Sequence, residues 1–237
     1  MTQARWHLAV LVPARDEEYL LPRCLHSIQR AVLRLASNTT SDVIVVSDCS
    51  IDRTCEMARA ILPAESAVIS VSLGTVGGAR AIAARAALSR YQGPLDRCWL
   101  VNTDADCEVP EDWLLSHLAI AEKGFAAVAG VIDVDSFLEH NAEVASRFRF
   151  TYLIREDGTH PHVHGANLGI RADAYVLAGG WSALATGEDH ELWNRLAACD
   201  IKRLSDSKLS VVTSGRRHGR APQGFADALA AHNGSMA

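Results

Sequence analysis

The chain has 237 residues, 49% of them hydrophobic and 22% charged. A chain of this length carries a well-buried core, and its composition excludes a disordered one. The formal net charge of −5, from 23 basic and 28 acidic residues, argues against a general nucleic-acid binder. An acidic protein that binds a diphosphate needs a metal ion, or local arginines and backbone donors.

The six cysteines (Cys24, Cys49, Cys55, Cys98, Cys107, Cys199) form no CxxC pair and no zinc-like spacing. The expectation is reduced thiols and a cytoplasmic setting. The apolar run Leu8 to Val12 is broken at once by Pro13-Ala14-Arg15-Asp16, which does not read as a signal peptide. No apolar stretch approaches the ~20 residues that span a bilayer. No transmembrane segment is expected, and docking at a membrane surface stays open.

Taken in order, His7 to Val12 reads as a buried strand and Tyr19 to Leu35 as a helix. Asp42 to Val46 is a second strand and Ile51 to Leu62 a second helix. Ala67 to Val71 is a third strand, followed by an Ala-rich helix from Gly78 to Tyr91. Cys98 to Val101 is a fourth strand, ending at Asn102-Thr103-Asp104-Ala105-Asp106. This alternation predicts βαβ units around a mostly parallel sheet flanked by helices, an α/β fold. Beyond it we expect a helix at Pro110 to Lys123, with Pro110 at its first position, and a strand at Phe125 to Val134. A helix at Phe137 to Arg155, a strand within His160 to Ile170, a helix at Thr186 to Ala198 and a strand at Leu209 to Thr213 complete the reading. No repeat or linker is visible, so one domain over residues 1–237 is expected.

Ligands of such sheets sit beyond the carboxyl ends of the strands. Pro13 to Glu18, Ser47 to Asp52, Leu73 to Arg80 and Asn102 to Asp106 should therefore face one crevice. Asp104-Ala105-Asp106 offers hard oxygen ligands where Mg2+ or Mn2+ binds and bridges to phosphates. An acidic turn before the next helix is the competing reading. Asp48 could accept a hydrogen bond from a nucleobase, or Ser50 and Asp52 could simply cap a helix. Gly77-Gly78 opens a helix whose free N–H groups favour an anion, with Arg80 close by. Thr186-Gly187-Glu188-Asp189 fits a capping box, or supplies a general base. His160, His162 and His164 share a face if extended, either as a metal trio or as loop histidines that bind nothing. Arg216, Arg217, His218 and Arg220 read as a solvated face or as a lid over phosphates.

In order and spacing these segments resemble family-two glycosyltransferases of the GT-A fold. The matching stretches are Val12 to Glu18, Val46 to Thr54, Gly77 to Arg80, Asn102 to Asp106, Gly165 to Arg171 with Gly179-Gly180-Trp181, and Glu188-Asp189. The resemblance implies a Rossmann-like domain whose residues 1–106 bind a nucleotide-sugar and whose residues 107–237 bind the acceptor. It implies that Pro13, Arg15, Glu17 and Asp48 hold the nucleoside, with Asp48 reading the base. Arg80 and Asp104 would lie near the ribose or diphosphate. Asp106 would be the main ligand of Mn2+ or Mg2+, aided by Asp104 and by a late histidine, His218. Asp189 would be the base of an inverting transfer, with Glu188, His164, Asn167 and Trp181 on the acceptor side. A UDP-sugar is the favoured donor, and a small or lipid-linked molecule the acceptor.

Two positions depart from the pattern. Ser47 stands where many relatives carry an Asp, and no QxxRW follows Glu188-Asp189, which argues against a processive polymer synthase. A sugar-nucleotidyltransferase is the first rival, although Pro13 to Glu17 lacks that class's glycine-rich loop. A non-catalytic nucleotide-binding protein of the same fold is the second.

Overall fold

In the computed structural model, which describes residues 5–234, the four apolar runs of the first half become β1 (His7–Ala14), β2 (Thr40–Asp48), β3 (Ala67–Val71) and β4 (Cys98–Asn102). Helices α1 (Leu21–Leu33), α2 (Thr54–Ile61) and α3 (Val76–Arg90) connect them. Then follow α4 (Trp113–Glu122), β5 (Ala127–Val134), α5 (Val144–Thr151), β6 (Leu168–Arg171), α6 (Ala172–Leu177), α7 (Glu188–Ala198), β7 (Arg203–Thr213) and α8 (Phe225–Ala231). The seven strands form one sheet in the order β3-β2-β1-β4-β6-β5-β7. β6 runs antiparallel to β4 and β5, and all other pairings are parallel.

Because β1 lies inside a parallel sheet, it is apolar on both faces and reads as a continuous run. Leu8, Val10 and Val12 pack with Leu25 and Ile28 of α1 and with Trp113 and Leu114 of α4. On the opposite face Ala9 and Leu11 meet Ala79, Ala83, Ala84 and Ala87 of α3, with Leu192 and Leu196 of α7 in the same cluster. The alanine stripe brings α3 close to the sheet, and the helix start reaches the carboxyl ends of the strands. A smaller cluster joins Val144 and Phe148 of α5 to Leu229 of α8, with Phe225 against it. It fastens the end of the described chain across the same edge of the sheet.

The elements differ from expectation where side chains compete with the helix. Helix α5 covers only residues 144–151 of the expected 137–155. Upstream of it the Asn141 amide is held by Asn233, and the His140 ring meets the Gly215 carbonyl. Pro110 does not open α4. Its carbonyl accepts from Trp113 N in a turn, and the helix starts at Trp113. The capping box at Thr186 does not form. Gly187 occupies the cap with φ of 72° and no side-chain bond. The histidine segment is extended without being a strand, and only residues 168–171 join the sheet. Strand β7 begins at Arg203 rather than Leu209, because a bulge opposite Gly130/Val131 lets it continue along β5. Helices α6 and α8 were not anticipated.

Candidate active site

The segments after β1, β2 and β4 meet at one edge of the sheet, and short hydrogen bonds stitch them. Glu17 N donates to Thr54 Oγ1 (2.8 Å), Glu18 N to Asp52 Oδ2 (3.0 Å) and Ile51 N to Asp16 Oδ1 (2.8 Å). Asp52 therefore ties two loops together and also accepts from Thr54 N. Ser47 joins this lattice through Ser50 Oγ (2.7 Å). The resulting cleft is lined by Pro13, Arg15, Glu17, Asp48, Asp104 and Asp106 on one side. On the other side lie Thr213, Arg216, Arg220 and Phe225.

Two arginines meet the acidic turn. Arg80 is 2% exposed and donates to Asp104 Oδ1 (2.5 Å) and Glu188 Oε1 (3.2 Å). Its guanidinium lies over Trp181, 5.4 Å from the ring centroid. Gly165 leaves room for it, since a Cβ there would lie 2.7 Å from Arg80 Cζ. Arg216 forks onto Glu17, at 3.0 Å to Oε2 and 2.7 Å to Oε1, and also meets Asp106 Oδ2 at 2.9 Å. Burial pushes the Asp106 carboxyl up to about 7, opposed by Arg216 and reinforced by Asp104 and Glu17. Burial likewise raises Glu188, against the pull of Arg80.

This donor set fits a divalent cation. Asp104, Asp106 and Cys107 bring ligand atoms within 4.8 Å of one another, the only such trio among the described residues. Burial holds the Cys107 thiol protonated, so the two carboxylates would be the ligands and would favour a hard ion. His218 is exposed and outside this group. The side chain that reaches Asp106 from that segment is Arg216.

Asp48 is 4% exposed, and its carboxylate accepts from the backbone N–H groups of Leu73 (2.6 Å), Gly74 (3.0 Å) and Thr75 (3.0 Å). The anion at the mouth of α3 is thus a side chain of the protein itself. The other expected donors are also engaged: Gly78 N bonds Thr75 Oγ1 and Gly77 N bonds the Leu184 carbonyl. Cys49 Sγ also donates to Oδ1 (3.4 Å), whereas Oδ2 accepts only from Thr75 N and keeps a lone pair for a ligand while Asp48 holds the loop.

Beyond Glu188, and outside the residues that line this cleft, Asp189 Oδ2 accepts from Gly165 N (2.8 Å), which joins the start of α7 to the segment before β6. His164 Nε2 meets Tyr152 Oη at 2.9 Å, and burial lowers the His164 pKa to about 4. The ring is therefore neutral near pH 7. His160, His162 and His164 do share one face, stacked with centroids 5.9 Å apart. Their Nε2 atoms diverge, to the Ala129 carbonyl, the Leu153 carbonyl and Tyr152 Oη. That divergence removes the metal-trio reading. Asn167 is fully buried and does not line the cleft. Its amide donates to the Val131 and Leu209 carbonyls and accepts from Trp113 Nε1, pinning β5, β7 and α4 together.

Glu17 as the partner of Arg216, and Thr213 and Phe225 as lining, were not recoverable from sequence, because long-range topology alone places them. The one signal was the cluster of arginines after the final strand.

Residues 9–176 match the family model described as glycosyl transferase family 2. Among solved structures, the chain resembles mannosyltransferase PcManGT from Pyrobaculum calidifontis in complex with GDP-Man and Mn2+. The identity is 19% and the TM-score 0.64, over 98% of this chain and 70% of that one. S. aureus TarS 1-349 in complex with UDP-GlcNAc is 18% identical with a TM-score of 0.62, over 90% of this chain. The chain spans 60% of the length of that TarS structure. No curated protein sequence matches it significantly. No described helix is long and apolar enough to cross a membrane.

Proposed function

Starting from a chain that belongs to glycosyl transferase family 2 and has the GT-A fold, we propose that it transfers one sugar from a nucleoside diphosphate sugar to an acceptor hydroxyl, with inversion at the anomeric carbon. The observation that carries the reading is a cleft holding the paired-carboxylate turn, with Arg80 joining Asp104 of that turn to Glu188, the neighbour of Asp189. Pro13, Arg15 and Asp48 bound the nucleoside end, and UDP is the favoured carrier. Asp106 and Asp104 hold Mn2+ or Mg2+, which when bound supplies positive charge against the departing diphosphate.

Asp189 takes the proton of the acceptor hydroxyl as that oxygen bonds the anomeric carbon and the nucleoside diphosphate leaves. Asp189 Oδ2 accepts from Gly165 N and Oδ1 from His190 N, which leaves a lone pair on each oxygen for the incoming proton. Glu188 is held by Arg80 and acts beside Asp189 by shaping the acceptor pocket. His164, neutral and hydrogen-bonded to Tyr152, borders the same pocket. The acceptor is a discrete small or lipid-linked molecule, and residues 1–237 work as one unit with the cleft between their two halves.

A thermal-shift panel of UDP, GDP and dTDP sugars, with and without Mn2+, tests the reading, since a ligand of the folded state raises its apparent stability. We expect a metal-dependent shift with at least one donor. In Asp106→Ala that shift should disappear. In Asp189→Asn it should persist while transfer is lost. Full turnover by either variant would sink the mechanism, and pyrophosphate release from a nucleoside triphosphate and a sugar phosphate would favour nucleotidyl transfer.

A further inference from the structure

Both carboxylates of the acidic turn carry an arginine, but the two arginines are built differently. Arg80 rises from α3, is wholly buried and is bound on two sides by Asp104 and Glu188. Arg216 belongs to the segment that leaves β7 and crosses the cleft before α8, and its side chain is 19% exposed. Its guanidinium lies in the cleft, spanning Glu17 and Asp106. Arg216 thus occupies one oxygen of the buried carboxylate that the reading above gives to the metal. A divalent ion drawn to Asp104 and Asp106 meets that guanidinium as a like charge on the same buried carboxylate.

We infer that Arg216 is a resident counter-cation of Asp106, which metal entry displaces and the nucleotide's diphosphate then recaptures. This rests on the metal and nucleotide reading given above. Once the ion holds Asp106, Arg216 keeps both Nη groups on Glu17, and the Nη2–H that met Asp106 is free. The diphosphate is the nearest new anion, and a guanidinium fork suits it better than a point charge does. Arg216 therefore opposes metal binding to the empty protein and favours binding of the nucleoside diphosphate beside the metal. The two ligands are coupled through it, each raising the affinity for the other by one common factor. Arg220, which anchors the same segment by donating to the Asp16 carbonyl (2.9 Å), keeps the side chain within reach of both positions.

The test measures Mn2+ binding by electron paramagnetic resonance to the full chain and to Arg216→Gln and Arg216→Lys, alone and with saturating UDP or GDP. Nucleotide affinity is measured in parallel at saturating Mn2+. In the parent protein the nucleotide should tighten Mn2+ by about 5- to 150-fold, the usual range of such coupling. In Arg216→Gln, Mn2+ should bind more tightly to the nucleotide-free protein, the diphosphate more weakly, and the coupling should shrink to the part carried by the direct attraction of metal and diphosphate. Arg216→Lys, which keeps the charge without the fork, should fall between. Unchanged or weaker Mn2+ binding to nucleotide-free Arg216→Gln, with its unfolding transition intact, overturns the inference. Asp106→Asn separates this from failure of the underlying reading. If Mn2+ binds the parent and Asp106→Asn equally, or binds neither with nucleotide present, the metal site itself is wrong and the inference falls with it.

Discussion

Replacing Arg80 by Met removes the charge that joins the acidic turn to α7 while keeping most of the side-chain volume. Arg80 and Glu188 have side-chain exposures of 2% and 6%, so the pair is desolvated, whereas Asp104 at 36% faces solvent. An exposed pair contributes little, so Glu188 sets the cost. Breaking a buried pair leaves an uncompensated charge and costs about 3–5 kcal/mol. We expect a loss near the lower limit, about 3 kcal/mol at pH 8, because Met retains contacts with Trp181. Burial already raises the Glu188 pKa, with Arg80 opposing, so the variant raises it further. A carboxyl whose folded pKa lies above its unfolded one contributes stability that is complete below the unfolded value. That contribution is lost as pH rises through the folded value. The penalty should therefore shrink by half or more between about pH 8 and pH 5, and Arg80→Met/Glu188→Gln should recover part of it at pH 8. Urea unfolding at the two pH values reads both. An equal penalty at each pH, or a double variant no better than the single one, would refute the assignment of the cost to Glu188.

Asp48→Asn should destabilise the nucleotide-free protein by about 1–3 kcal/mol, because an amide presents one acceptor and a donor to three N–H groups that now share a carboxylate. Hydrogen exchange at Leu73 to Thr75 should accelerate with it, and unchanged protection would show the carboxylate to be dispensable for the loop. Gly77→Ala should cost about 1–3 kcal/mol through overpacking, since the new methyl group runs into the Ser182 carbonyl oxygen, and chemical denaturation reads it. Donor binding should weaken in the same variant because the chain at 182–187 is displaced from the start of α3.

The first half of the fold was legible because each parallel strand is buried on both faces and announces itself as an apolar run. The sequence also placed the acidic turn, since a carboxyl-terminal strand end is visible in Val101-Asn102 followed by Asp104. What it could not give was pairing in space. Asp48 looks the same in a list of residues whether it faces a base or its own backbone, and only the path of residues 73–75 decides. Asn167 sits in a motif-like stretch yet is turned into the core by β6. The helix expected from Phe137 failed because periodicity cannot see Asn233 and Gly215, which hold Asn141 and His140 from the far end of the chain. His218 came from the family resemblance, whereas the side chain that meets Asp106 from the turn after β7 is Arg216.

The antiparallel course of β6 has a consequence for how such a protein can diversify. In every other strand the chain leaves the sheet at the cleft edge, so new material enters after the strand. In β6 it arrives there, with Leu168 beside Asn102 and Arg171 beside Trp99. Lengthening or recoding the stretch before Leu168 therefore changes the wall next to Asp189, whereas alterations just after Arg171 fall at the opposite edge. Residues 156–163 run into that wall, whereas β1, β2 and β4 lead into the loops around the acidic turn. On the proposed function, swapping that segment between homologues should move acceptor preference without moving donor preference.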